Sequence, residues 1–127
     1  MKDYPRLPES ELDIMLVIWD LGDQAAAPAI LERLERPLTA SALHSYLKRL
    51  EDKGYLTCTK EGKTNRYTPL VSREAYQRQE GKTILGKLYK GSLKRFAAAL
   101  HDGGALDKSD VEELRAYLEE LEGKEGQ

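Results

Sequence analysis

The chain has 127 residues, enough for one hydrophobic core and an appendage, and its 40% hydrophobic and 33% charged residues mark a folded chain, not a disordered one. No apolar run approaches ~18 residues, which excludes a membrane-spanning helix and membrane insertion. Cys58 is the single cysteine, so an internal disulfide is excluded. The opening MKDYPRLPES lacks the apolar stretch of a secretory signal, and the expected setting is cytoplasmic.

A first helix is expected from about Glu9 to Asp20, with Glu9, Glu11 and Asp13 near its positive end. Leu12, Met15, Leu16 and Trp19 share a face, with Ile18 beside them, and Trp19 reads as core. Leu21-Gly22-Asp23 ends it. Pro28 suits a first helical position, so a short helix is expected from about Pro28 to Arg36, with Ile30, Leu31 and Leu34 inward and Pro37 as its stop. A third helix begins near Thr39 or Ser41 and ends before Gly54, a candidate left-handed cap. At about 100° per residue, Leu43, Tyr46, Leu47 and Leu50 fall on one side and Ser41, His44, Ser45, Lys48 and Asp52 on the other.

Tyr55–Lys60 and Asn65–Leu70 are rich in β-formers and flank Glu61-Gly62-Lys63-Thr64, a hairpin pattern. Pro69 lacks a backbone donor, which fits an edge strand. Ser72-Arg73-Glu74 opens a long helix to about Tyr89, in which Gly81 and Gly86 mark a bend or close packing. Gly91-Ser92 interrupts, a helix follows over about Leu93–His101, and Gly103-Gly104 breaks it. The last helix starts near Asp107, where Val111, Leu114, Leu118 and Leu121 repeat at coiled-coil spacing. Two parts follow, a body over 1–71 and a helical tail over 72–127. The tail helices carry apolar faces with little chain left to cover them, so a second copy is the economical cover.

The charge is unevenly placed. Residues 1–38 hold four Lys/Arg against eight Asp/Glu, and residues 39–78 hold eight against four. Residues 82–95 hold five against none, and residues 96–127 three against nine. The hairpin is thus a basic surface on an acidic chain, able to steer a polyanion. Lys60, Lys63 and Arg66 are expected to gather at its tip. The small polar set Ser41, His44 and Ser45 beside it would let a helix backbone approach base edges. The alternative is a winged-helix module for protein interaction whose charges are a solvated turn. Salt separates the two, because phosphate binding weakens steeply as salt rises.

Other chemistry has little to stand on. His44 and His101 are distant and have no Cys or carboxylate cluster, so no metal is assigned. Gly62-Lys63-Thr64 lacks the rest of a phosphate loop. No nucleophile elbow or paired carboxylates are visible. No catalytic residue and no cofactor are assigned, and Cys58 reads as a structural thiol in a strand.

LPESELDIMLVIWDLG, SYLKRLEDKGYL and KTNRYTPLVSREAY, with LYKGSLKRFAAAL and LDKSDVEELRAYLEELE in the tail, resemble the penicillinase-repressor (BlaI/MecI/CopY) family over nearly the whole chain. The resemblance implies a homodimeric winged-helix repressor of double-stranded palindromic operators, dimerised through its C-terminal helices. In the antibiotic-resistance branch a membrane sensor triggers proteolysis at an Asn-Phe pair, and repression ends. The pair here is Ala99-Leu100. The copper-responsive branch carries a C-terminal cysteine cluster, which this tail lacks, and Pro8 stands where the family often has Ser or Thr.

The expected fold is mostly α with a small β-hairpin wing: a winged helix-turn-helix domain plus a C-terminal helical dimerisation domain. The expected DNA contacts are Ser41, Ala42, His44, Ser45, Lys48, Arg49, Lys60, Lys63 and Arg66. The expected dimer seam carries Leu85, Leu88, Leu93, Phe96, Leu100, Val111, Leu114, Leu118 and Leu121.

Overall fold

The computed structural model describes residues 4–22 and 25–125. The chain forms two compact units, Met1–Gly81 and Lys82–Gln127.

The first unit opens with α1 (Glu9–Leu21). Pro8 has no capping side chain, but its carbonyl accepts from the Leu12 N–H at 2.9 Å. The buried face of α1 is Glu11, Ile14, Met15 and Ile18, whereas Leu16 is 38% exposed and Leu12 and Trp19 are half-buried. The buried face is displaced by one residue, about 100° around the axis, from the face expected from sequence, with Met15 and Ile18 common to both. Every position in IMLVIW is apolar, so periodicity does not choose a face and the neighbouring elements do. Gly22 caps the helix at φ 83°, and Asp23 lies outside the described residues.

A two-residue strand, β1 (Ala25–Ala26), leads into α2 (Ala27–Arg33). α2 ends before the expected Arg36. Pro37 disfavours helical geometry at the residue before it, and the extended Leu34 lets Leu34 and Leu38 pack against the core. Then α3 (Ala40–Asp52) starts at Thr39, whose Oγ1 accepts from the Ala42 N–H at 3.0 Å. It closes in a Schellman cap. Gly54 sits at φ 86°, its N–H reaches Glu51 O at 3.0 Å, and the Tyr55 N–H reaches Leu50 O at 2.9 Å. Leu43, Leu47 and Leu50 are fully buried, with Tyr46 at their edge.

Strands β2 (Leu56–Glu61) and β3 (Thr64–Pro69) pair antiparallel from Leu56↔Pro69 to Glu61↔Thr64. Gly62, at φ 65°, comes first in the two-residue turn, as a type II′ turn requires. The sheet order is β1-β3-β2, so the strand holding Pro69 is central and not, as expected, at an edge. Proline is tolerated because β1 pairs only with Arg66 and Tyr67, and Pro69 ends the strand beyond that pairing. No sequence pattern announces β1, since two alanines become a strand only where β3 offers a free side.

The core gathers Ile14, Met15, Ile18, Ile30, Leu43, Leu47, Leu50, Tyr55, Leu56, Tyr67, Val71 and Tyr76. Tyr76 belongs to α4 (Arg73–Tyr89), so the first unit reaches past the boundary at 71 into that helix. The Tyr76 ring lies 5.9 Å from both Trp19 and Tyr55, and its hydroxyl accepts from the Leu7 N–H at 3.3 Å. Gln79 clamps Tyr4 through both backbone groups, at 2.7 and 2.5 Å. Arg6 meets Glu80 at 2.7 Å, and the Tyr55 hydroxyl donates to Pro5 O at 2.6 Å. Burial pushes the phenols of Tyr55, Tyr67 and Tyr76 above their usual range. Trp19 Nε1 donates to Val71 O at 2.9 Å, which ties α1 to the start of α4. At the end of α3, Lys53 Nζ meets the buried Glu11 at 2.6 Å, with side chains 29% and 4% exposed.

The second unit holds the end of α4, then α5 (Leu93–Asp102) and α6 (Lys108–Glu125). α4 closes with Lys90 and Gly91 at φ 51° and 79°, and Ser92 caps α5 by accepting from the Arg95 N–H at 3.1 Å. Asp107 and Asp110 form a reciprocal capping box at 2.9 and 3.1 Å. A Cβ at Gly81 or Gly86 would meet no atom within 4 Å, so the close packing expected at these glycines is not found in the single chain. None of the described residues of α5 and α6 is buried.

Candidate DNA-binding interface

α3 divides cleanly along its length. Leu43, Leu47 and Leu50 point into the core, which forces Ser41, His44, Ser45, Lys48 and Arg49 outward, and all five are exposed. Ala42 is half-buried and supplies the N–H that Thr39 caps. The Ser45 hydroxyl donates to Ser41 O at 3.3 Å, so its lone pairs stay available outward. Lys48 reaches Asp52 one turn on at 3.4 Å, and the Arg49 guanidinium lies 5.4 Å from the centre of the Tyr46 ring. Both contacts are on the surface, where a competing phosphate can displace or share them.

The wing differs from the expected cluster. Lys63 occupies the turn and is exposed, and Lys60 is exposed beside it, opposite Asn65. Arg66 lies further back, opposite Thr59 in β3. Side chains alternate along a strand, so Lys60 stands on the face of Leu56 and Tyr67 while Arg66 stands on the other. There Arg66 is half-buried and meets Glu61 at 3.5 Å. The three cations therefore do not meet at one tip. The expected strands already pair Lys60 with Asn65 and Thr59 with Arg66, so alternation along β3 by itself puts Arg66 on the face away from Lys60.

Among the described residues no group of His, Cys, Asp and Glu could hold a metal ion, and no helix is long and apolar enough to cross a membrane. Cys58 is half-buried against the core, opposite Tyr67.

A recognition-type helix beside a two-stranded wing has known counterparts. The family model described as penicillinase repressor matches residues 7–120. The chain belongs to the penicillinase repressor family. That family consists of transcriptional repressors, not enzymes. The penicillinase repressor of Bacillus licheniformis is 29% identical over 122 residues, 94% of each chain. The methicillin resistance regulatory protein MecI of Mammaliicoccus sciuri is 25% identical over 114 residues, 88% of this chain and 92% of its own. Among solved structures, the DNA-binding domain of the repressor BlaI matches with a TM-score of 0.52 and 29% identity, covering 60% of this chain and 94% of that one. The winged-helix reading of the first unit stands on that match.

The residues expected in the dimer seam all lie in the second unit. Leu88 and Leu93 are 70% and 67% exposed, Val111, Leu114 and Leu118 are exposed, and Leu85, Phe96, Leu100 and Leu121 are half-buried. Sequence reasoning missed two aromatics here. Tyr117 is exposed one turn from Leu114 and Leu121, and the Tyr89 ring lies 4.9 Å from Phe96. Each falls on the apolar face once its own helix is wound at the 3.6-residue period.

Proposed function

We propose that the chain is a cytoplasmic homodimeric repressor that binds a palindromic operator, each copy laying α3 in the major groove and its wing on the backbone. The observation that carries this is the outer face of α3, where five polar or basic side chains are exposed beside the wing lysines and hold no place in the core. Ser41, Ala42, His44 and Ser45 would face base edges. Lys48, Arg49, Lys60 and Lys63 would meet phosphates, and Arg66 would do so from the outer face of the wing. Phosphate contacts carry no sequence information, whereas base contacts do. Lys63→Ala is thus expected to weaken binding to operator and random duplex alike and to lower the salt slope of the dimer by about 1.8, about 0.9 for each copy. His44→Ala and Ser45→Ala should lower discrimination by about 1–3 kcal/mol at the bases they touch. Titrations of both duplexes at several salt concentrations test this, and an unchanged slope for Lys63→Ala would remove the wing from the interface.

Release is proposed to follow a sensor-triggered signal that separates the DNA-binding unit from the dimer seam. The bond between Ala99 and Leu100 lies inside α5, and both carbonyls accept hydrogen bonds, from Gly103 N at 3.0 Å and Ala105 N at 2.8 Å. A protease needs extended backbone, so cleavage there requires the last turn of α5 to unwind. Intact-mass analysis of repressor from induced cells is expected to find a fragment ending at residue 99. A full-length chain that has left its operator would exclude cleavage as the switch.

A further inference from the structure

The second unit is divided by charge as well as by hydropathy. Residues 82–95 carry Lys82, Lys87, Lys90, Lys94 and Arg95 and no acid. α6 carries seven acids against three bases. Within one chain the two sets do not meet: among the described residues no ion pair joins any of these five cations to an acid. All five are exposed, as are the acids of α6 up to Glu122. The charges also border the uncovered apolar faces. Wound at the helical period, Lys82 and Lys87 flank the face of Ile84, Leu85, Leu88 and Tyr89, and Glu113 and Glu122 flank the stripe of Val111, Leu114, Tyr117, Leu118 and Leu121.

This inference rests on the homodimer proposed above and specifies its contacts. Two α6 helices laid side by side would bring two net-acidic surfaces together. A two-fold interface repeats every contact, so α6 of one copy against the 82–95 segment of the other is satisfied twice, with apolar faces joined and charges opposed. We infer that the occupant of the 82–95 surface is α6 of a second copy, and that acid–base pairing across the two-fold selects this arrangement.

Flanking charges choose partners more than they add affinity. The test is therefore a charge exchange in the full-length chain, read by sedimentation. Lys82→Glu/Lys87→Glu should dimerise about tenfold more weakly than the parent, since two attractions become repulsions in each half of the interface. Glu113→Lys/Glu122→Lys should do the same. Mixing the two variants should restore parental affinity as a heterodimer, because each altered surface then meets its opposite. If both variants dimerise like the parent and mix statistically, the charge pairing is wrong while the homodimer stands. If the parent is monomeric at micromolar concentration, the homodimer fails too.

Discussion

Cutting the chain after Gly81 is expected to leave a folded monomer whose operator affinity falls by about 10²–10⁴. Every proposed DNA contact survives the cut, and what is lost is the second site's effective concentration. The position of the cut matters. The first compact unit ends at Gly81, and it includes Tyr76, Gln79 and Glu80. A cut after Val71, at the boundary expected from sequence, would remove the buried Tyr76 ring from between Trp19 and Tyr55 and release Tyr4 from Gln79. Deleting a buried aromatic side chain costs about 3–5 kcal/mol, much of a small domain's stability. Denaturant unfolding of the two fragments and binding to full and half operators check this. A fragment ending at Gly81 that binds the full operator as tightly as the parent would show that the tail does not link the two sites.

The second large effect is expected at Lys53. Its ammonium reaches Glu11, whose carboxylate is 4% exposed on the inner side of α1. Lys53→Met keeps the aliphatic stem and leaves that carboxylate buried without its cation, which costs about 3–5 kcal/mol. The double change Glu11→Leu/Lys53→Met removes both charges and should recover most of the loss, because replacing a buried pair by apolar groups is often close to neutral. Chemical denaturation of the four proteins completes the cycle. A single variant as stable as the parent would mean that Glu11 finds water or another donor. The pair also joins the first turn of α1 to the C-cap of α3, so its loss should loosen the helix that carries the proposed base contacts.

The sequence by itself determined the elements bounded by backbone chemistry. Thr39, whose hydroxyl caps the Ala42 N–H, Gly54 before Tyr55, Ser72, Gly91-Ser92 and Asp107 mark helix ends because capping and left-handed geometry need those residue types, and the helices start and stop there. The outer face of α3 was legible for a related reason, since its leucines recur at the helical period and leave one place for Ser41, His44, Ser45 and Lys48. Only the tertiary structure decided the rest. The buried face of α1 depended on neighbours, because an almost wholly apolar segment has no preferred side. β1 and the central place of β3 depended on a pairing between residues some forty positions apart, which no local pattern encodes. For Arg66 the alternation of the expected strands already set its face, and what the fold added is its half-buried place beside Glu61. The end of the first unit moved to Gly81 because Tyr76 and Gln79 have partners near the chain start, and contacts so distant in sequence arise only when the fold brings their elements together.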